Sequence, residues 1–157
     1  MTVADPTDPS NHARPPGTTD DTVEAVGKLG EAYEYLIRAR GHLYSFHQLL
    51  GRVDILVGDA AEMLVGAGHD ELARMLDQEI VGRNVLDGRW TFQVVEEFDR
   101  TYFEAVTAAE RRVRDELVAG RRHVFESELK DSRISPGRPA HERRPPETLD
   151  PEIETEM

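Results

Sequence analysis

Residues 22–67 read TVEAVGKLGEAYEYLIRARGHLYSFHQLLGRVDILVGDAAEMLVGA. Alternate steps of three and four from Thr22 land on Ala25, Leu29, Ala32, Leu36, Ala39, Leu43, Phe46, Leu50, Val53, Val57, Ala60, Leu64 and Ala67. None of these positions is charged, and all but Thr22 are apolar. An apolar period of 3.5 residues is a helix-packing seam. As one helix the stretch would run about 70 Å at ~1.5 Å per residue. A helix of that length needs a partner of similar length.

The partner lies further along the chain. Val95, Phe98, Tyr102, Val106, Ala109, Val113, Leu117, Gly120 and Val124 repeat the same spacing and predict a second long helix over 89–133. Val65-Gly66-Ala67-Gly68 supplies glycine for a helix stop. A short helix is predicted from about Asp70 to Val81, followed by a turn-rich link ending in Asp87-Gly88. Asp21 and Glu24 form a capping-box-like start for the first helix. Acid-to-base pairs four apart (Glu34–Arg38, Asp70–Arg74, Glu79–Arg83, Glu96–Arg100, Glu110–Arg114, Glu126–Lys130) all place the acid first, the favoured helical order. The fold expected is all-α: an antiparallel hairpin of two long helices, about 22–67 and 89–133, with a short helix at about 70–81 between them.

Gly27, Gly30, Gly41, Gly51 and Gly58 all fall inside the first helix. Each costs about 1 kcal/mol against alanine in a helix interior. The unbroken period argues for a continuous helix, with Gly51 and Gly58 forming ground where another helix can approach. A break at Gly41 or Gly51 is the competing reading. Val26, Tyr33, Ile37, Tyr44, Leu49 and Ile55 widen the apolar face beyond a strict seam. That surplus fits a second copy, giving a homodimeric four-helix bundle.

All nine prolines lie outside 22–133. Proline breaks helix interiors, so residues 1–21 and 134–157 read as Pro-rich disordered tails around a helical domain. From Glu147 onward the chain has five acids and no base, and its composition is that of a solvated acidic tail. The net charge of −12 repels phosphate backbones and anionic lipid, which argues against nucleic-acid and membrane partners. Arg111, Arg112, Arg114, Arg121, Arg122 and His123 make a basic stretch, but Glu110, Asp115, Glu116, Glu126 and Glu128 interleave with it. The chain has no cysteine, which excludes disulfides, thiolate metal sites and a cysteine nucleophile. The first 20 residues hold no apolar run, and no stretch approaches the ~18 apolar residues of a membrane span. The location expected is cytoplasmic.

No phosphate-binding glycine loop, nucleophile elbow, H-E-x-x-H or calcium loop is present. Ser45 beside Phe46-His47 has no strained turn to expose it. No catalytic residue is therefore assigned, no organic cofactor is implied, and the expected role is a non-enzymatic interaction or assembly module. The alternative is a metal-binding His/carboxylate bundle. Glu-x-x-His, the signature of paired-helix di-metal sites, is absent, but His123-x-x-Glu126 occurs in the reverse order. If Ala67 stands level with Trp90, residues whose numbers sum to about 157 face each other. That register sets Glu34 near His123, His42 near Asp115 and His47 near Glu110, either as metal-ligand pairs or as a row of salt bridges. Trp90, Phe98, Tyr102, Tyr44 and Tyr33 are the aromatic candidates for an interface, with Trp90 also suited to cap one end of the bundle.

The block from Gly88 to Lys130, GRWTFQVVEEFDRTYFEAVTAAERRVRDELVAGRRHVFESELK, resembles a stretch of small helical proteins of actinobacteria. To that group no activity is attached. The resemblance implies a bacterial source, in keeping with 17 arginines against 2 lysines, and carries no mechanism.

Overall fold

The computed structural model describes residues 12–143. They are all-α. Helix α1 runs Asp20–Gly66, α2 Asp70–Glu79, α3 Thr91–Phe98, α4 Glu104–Val118 and α5 Val124–Arg133. A π-helical turn, Asp99–Phe103, joins α3 to α4 without a break. The long rods are thus 20–66 and 91–118, with α2 between them. The chain divides into two compact units. One is Tyr35–Val106; the other is formed by the residues up to Glu34 and from Thr107 onward.

Helix α1 is 47 residues long and passes through Gly41 and Gly51 without interruption. Its start lies slightly earlier than the sequence suggests. Thr19, not Asp21, caps it: the Thr22 amide donates to Thr19 Oγ1 at 3.2 Å. Asp20 and Asp21 then lie in the first turn, where the helix dipole favours negative charge. At the other end the Gly68 amide donates to Val65 O and the His69 amide to Leu64 O. Gly68 has φ +83°, the left-handed conformation such a stop requires. Asp87-Gly88 makes the expected tight turn, with Leu86 and Arg89 exchanging backbone hydrogen bonds.

The second long helix departs from the expected 89–133 in two places. The π turn inserts a residue at 99–103, and residues 119–123 leave the helix altogether. Ala119 and Gly120 take φ of 54° and 74°. The Gly120 amide then reaches back to Arg114 O at 3.1 Å, while Arg114 Nη1 donates to Gly120 O at 2.6 Å. Gly120, a seam position in the periodic reading, is instead the residue that ends α4.

In the unit built on the chain ends, Val23, Val118 and Val124 form the buried cluster, with Val26 packed against it. The two valines flanking the 119–123 break therefore anchor it from both sides. The segment 12–19, placed by composition in a tail, makes definite contacts here. Arg14 forks onto Glu128 through Nε (2.7 Å) and Nη2 (2.8 Å), and Arg121 Nη1 donates to Ala13 O. Residues 1–11 and 144–157, the remainder of the expected tails, lie outside the described residues.

Glycine spacing on α1 separates close packing from open surface. A Cβ on Gly27 would stand 2.7 Å from Phe125 Cβ and 2.9 Å from its Cγ, whereas Gly30, Gly41, Gly51 and Gly58 would meet nothing within 4 Å. Among the described residues, no helix occupies the ground at Gly51 and Gly58. Gly27→Ala is expected to destabilise the fold despite its better helix propensity, because Phe125 must shift. Gly30→Ala and Gly41→Ala are expected to stabilise it by up to about 1 kcal/mol each. Urea denaturation of the three variants checks both signs.

Candidate functional site

The α1 residues of the Tyr35–Val106 unit present two adjacent lines to their surroundings. Leu36, Arg40, Leu43, His47, Leu50, Asp54, Val57, Ala61 and Leu64 are buried or half-buried, at steps of four and three. This covered line shares Leu36, Leu43, Leu50, Val57 and Leu64 with the expected seam. It replaces Ala39, Phe46, Val53 and Ala60 by the residue after each.

Three of those replacements are polar, and each has a specific partner. Arg40 Nε and Nη2 both donate to Asp99 at 2.7 Å, the bidentate geometry that guanidinium and carboxylate favour. The Arg40 guanidinium also lies over the rings of Tyr44 (4.9 Å) and Phe103 (4.8 Å), each a cation–π contact. His47 Nδ1 is 2.7 Å from the buried Thr91 hydroxyl. Asp54 Oδ1 accepts from the Gly82 amide at 2.7 Å, where φ of +73° favours glycine. Residues 40 and 47 thus meet 99 and 91 in turn, which is the expected antiparallel hairpin.

The second line remains exposed. Phe46, Leu49, Val53, Leu56 and Met63 are 42, 66, 49, 48 and 75 % exposed. With His42 and Ala60, also exposed, they repeat at four and three over six steps. This is a second helix-packing stripe on the same helix.

The aromatic candidates fall in different places. Trp90 is half-buried at the start of α3. Its backbone amide donates to Gln93 Oε1 and its Nε1 to Arg83 O, and its ring meets Phe92 edge-on. It therefore fastens the link after α2 to the next helix. Phe98 packs against Tyr102 and Phe103 at 6.0 and 6.3 Å. The π turn carries the contact with Arg40 to Phe103, leaving Tyr102 61 % exposed. Tyr44 is 40 % exposed beneath Arg40, and Tyr33 is half-buried.

Of the His–carboxylate pairs, Glu34 and His123 are brought together. Their ligand atoms and one from Glu126 lie within 4.8 Å of one another, all three residues being exposed. His123 sits just before α5 with φ of 56°, a left-handed conformation costing a non-glycine residue roughly 1–2 kcal/mol. His12, on which no sequence motif falls, lies beside it. The two rings are 6.1 Å apart, and His12 Nδ1 is 2.7 Å from Arg122 O. The remaining candidates are placed otherwise. His47 contacts Thr91. Glu110 is buried and accepts from Arg114 Nε at 2.8 Å. Asp115 is exposed near Gly120, and His42 is exposed on the free stripe.

No family model, curated protein or solved structure matches the chain. Among the described residues, no helix is long and apolar enough to cross a membrane.

Arg40 holds the Asp99 carboxyl below its ordinary range, chiefly through the side-chain hydrogen bonds. A depressed carboxylate stabilises the fold above its unfolded pKa, and that stabilisation is lost as pH falls through the folded value. The side chains of the pair are 35 and 28 % exposed, so solvent screening limits its worth. Asp99→Asn is expected to cost about 1 kcal/mol near neutral pH. The gap from the parent should narrow below about pH 4, which urea midpoints measured across that range will read.

Proposed function

We propose that this protein is a non-enzymatic assembly module that forms a homodimer through the free stripe of α1. The observation that carries the reading is the exposed 3.5-residue repeat Phe46–Leu49–Val53–Leu56–Ala60–Met63. It runs beside a line that the same chain already covers. A stripe of this kind on water is a surface awaiting a helix.

A second copy of the same helix supplies a complementary face when it runs antiparallel. Phe46 then lies level with the partner's Met63, Leu49 with the partner's Ala60, and Val53 with the partner's Leu56. The layers mix large and small side chains, as interdigitated packing requires. Exposed Arg52 and Asp59 occupy successive positions on the flank away from the covered line. In an antiparallel pair that flank meets itself, so Arg52 faces the partner's Asp59, and twofold symmetry repeats the contact. Such a dimer fits a bacterial cytoplasmic protein that needs no nucleic acid or lipid surface.

Native mass spectrometry and light scattering of the full chain test this reading. The parent is expected to be a dimer and Leu49→Glu/Leu56→Glu a folded monomer by circular dichroism. Arg52→Glu should weaken the dimer about tenfold, equivalent to about 1.4 kcal/mol, and adding Asp59→Arg should restore it. A parent chain that stays monomeric at all accessible concentrations, or a charge swap without rescue, overturns the proposal.

A further inference from the structure

We propose that Glu34, His123 and Glu126, together with His12, bind a divalent transition-metal ion of the zinc class. The inference concerns the unit built on the chain ends and stands apart from the α1 stripe. It rests on three side chains that meet at one place, Glu34 from α1, His123 from the break after α4 and Glu126 from the first turn of α5, with the His12 ring, from the segment before α1, beside that of His123.

The geometry is close to what the ion needs. Tetrahedral zinc with bonds of 2.0–2.1 Å separates its ligand atoms by about 3.3 Å. The ligand atoms of Glu34, His123 and Glu126 already lie within 4.8 Å of one another, with Glu126 Oε1 3.9 Å from His123 Nδ1. All three side chains are exposed and free to turn by the remaining distance. Two imidazoles on one such ion hold their ring centres about 5 Å apart; those of His12 and His123 are 6.1 Å apart.

The chemistry of His12 supplies an independent argument. Its Nδ1 lies 2.7 Å from Arg122 O. A carbonyl oxygen only accepts, so Nδ1 carries the proton. The neutral ring then keeps its lone pair on Nε2, the state in which histidine ligates. A second ring nitrogen donating to a backbone carbonyl is the usual support of a metal-bound histidine. The donor set also matches charge. Two carboxylates balance a dication, and mixed imidazole and carboxylate donors suit zinc and its neighbours better than calcium or magnesium, which prefer oxygen alone.

The test is titration of metal-stripped full-length protein with zinc chloride, read by calorimetry and native mass spectrometry, with calcium chloride as comparison. One zinc per chain is expected, with little response to calcium. His123→Ala is expected to lower affinity by at least ~30-fold and His12→Ala or Glu34→Gln by ~10-fold. His69→Ala, exposed at the start of α2, should leave it unchanged. Zinc should raise the melting temperature of the parent but not of His123→Ala, whose fold is checked by circular dichroism. Leu49→Glu/Leu56→Glu should keep its zinc, because all four ligands belong to one chain. Absence of saturable zinc binding, or binding undiminished in His123→Ala, overturns the proposal. Affinity unchanged in His12→Ala overturns the four-ligand site as well.

Discussion

A charged side chain on the covered line of α1 governs the architecture of the Tyr35–Val106 unit. Arg40 is half-buried, and a guanidinium in that position must be paired. Asp99 answers it through two hydrogen bonds, while the rings of Tyr44 and Phe103 make cation–π contacts with it. This constellation uses residues of α1 and of the π turn between α3 and α4. Asp99 opens that turn and Phe103 closes it. In a regular α-helix Tyr102, four residues after Phe98, would have continued the inward line. The inserted residue hands that place to Phe103. Arg40 thereby selects the face of α1 that its own chain covers, and His47–Thr91 and Asp54–Gly82 extend the choice along the helix.

The apolar surface of α1 exceeds what this arrangement can hide. A hairpin buries one line, and the residues adjacent to it, from Phe46 to Met63, stay in water. At about 25 cal/mol per Å² of apolar area, a stripe of five large side chains represents several kcal/mol of unused driving force. That surplus gives the assembly reading its weight. Trimming the stripe to polar residues would have served a helix whose only task was intramolecular packing.

Much of this was legible in the sequence. The 3.5-residue period located α1, and its continuity outweighed the glycines because packing supplied what propensity withheld. Gly68 and Asp87-Gly88 marked the stop and the turn where left-handed backbone is needed. The covered face was displaced by one residue at alternate steps, since counting apolar positions cannot see that Arg40, His47 and Asp54 have polar partners waiting. A single facing register also failed. Glu34 and His123 sum to 157, as the register requires, but His47 and Thr91 sum to 138. The register set Ala67 level with Trp90, whereas the link after α2 already meets α1 at Asp54 through Gly82, so α3 begins level with His47. His12 was hidden for a different reason: its proline-rich neighbourhood reads as a tail, and nothing local announces the contacts of Ala13 and Arg14 with residues more than a hundred positions away.

The break is costly and yet maintained. Ala119 and His123 both take left-handed backbone, roughly 1–2 kcal/mol each for residues with a Cβ. Strain of that order persists only where the surroundings over-determine it. Here Val118 on one side and Val124 on the other are both buried in the same cluster with Val23. Continuing the helix through 119–123 would carry one of these valines out of that cluster. Arg114 adds to the constraint, gripping Gly120 O with one nitrogen and the buried Glu110 with another. Packing of the neighbouring Val124 helps hold His123 in its unusual conformation. Its imidazole therefore reaches the Glu34 and Glu126 carboxylates from a backbone position that a continuous helix would not have offered.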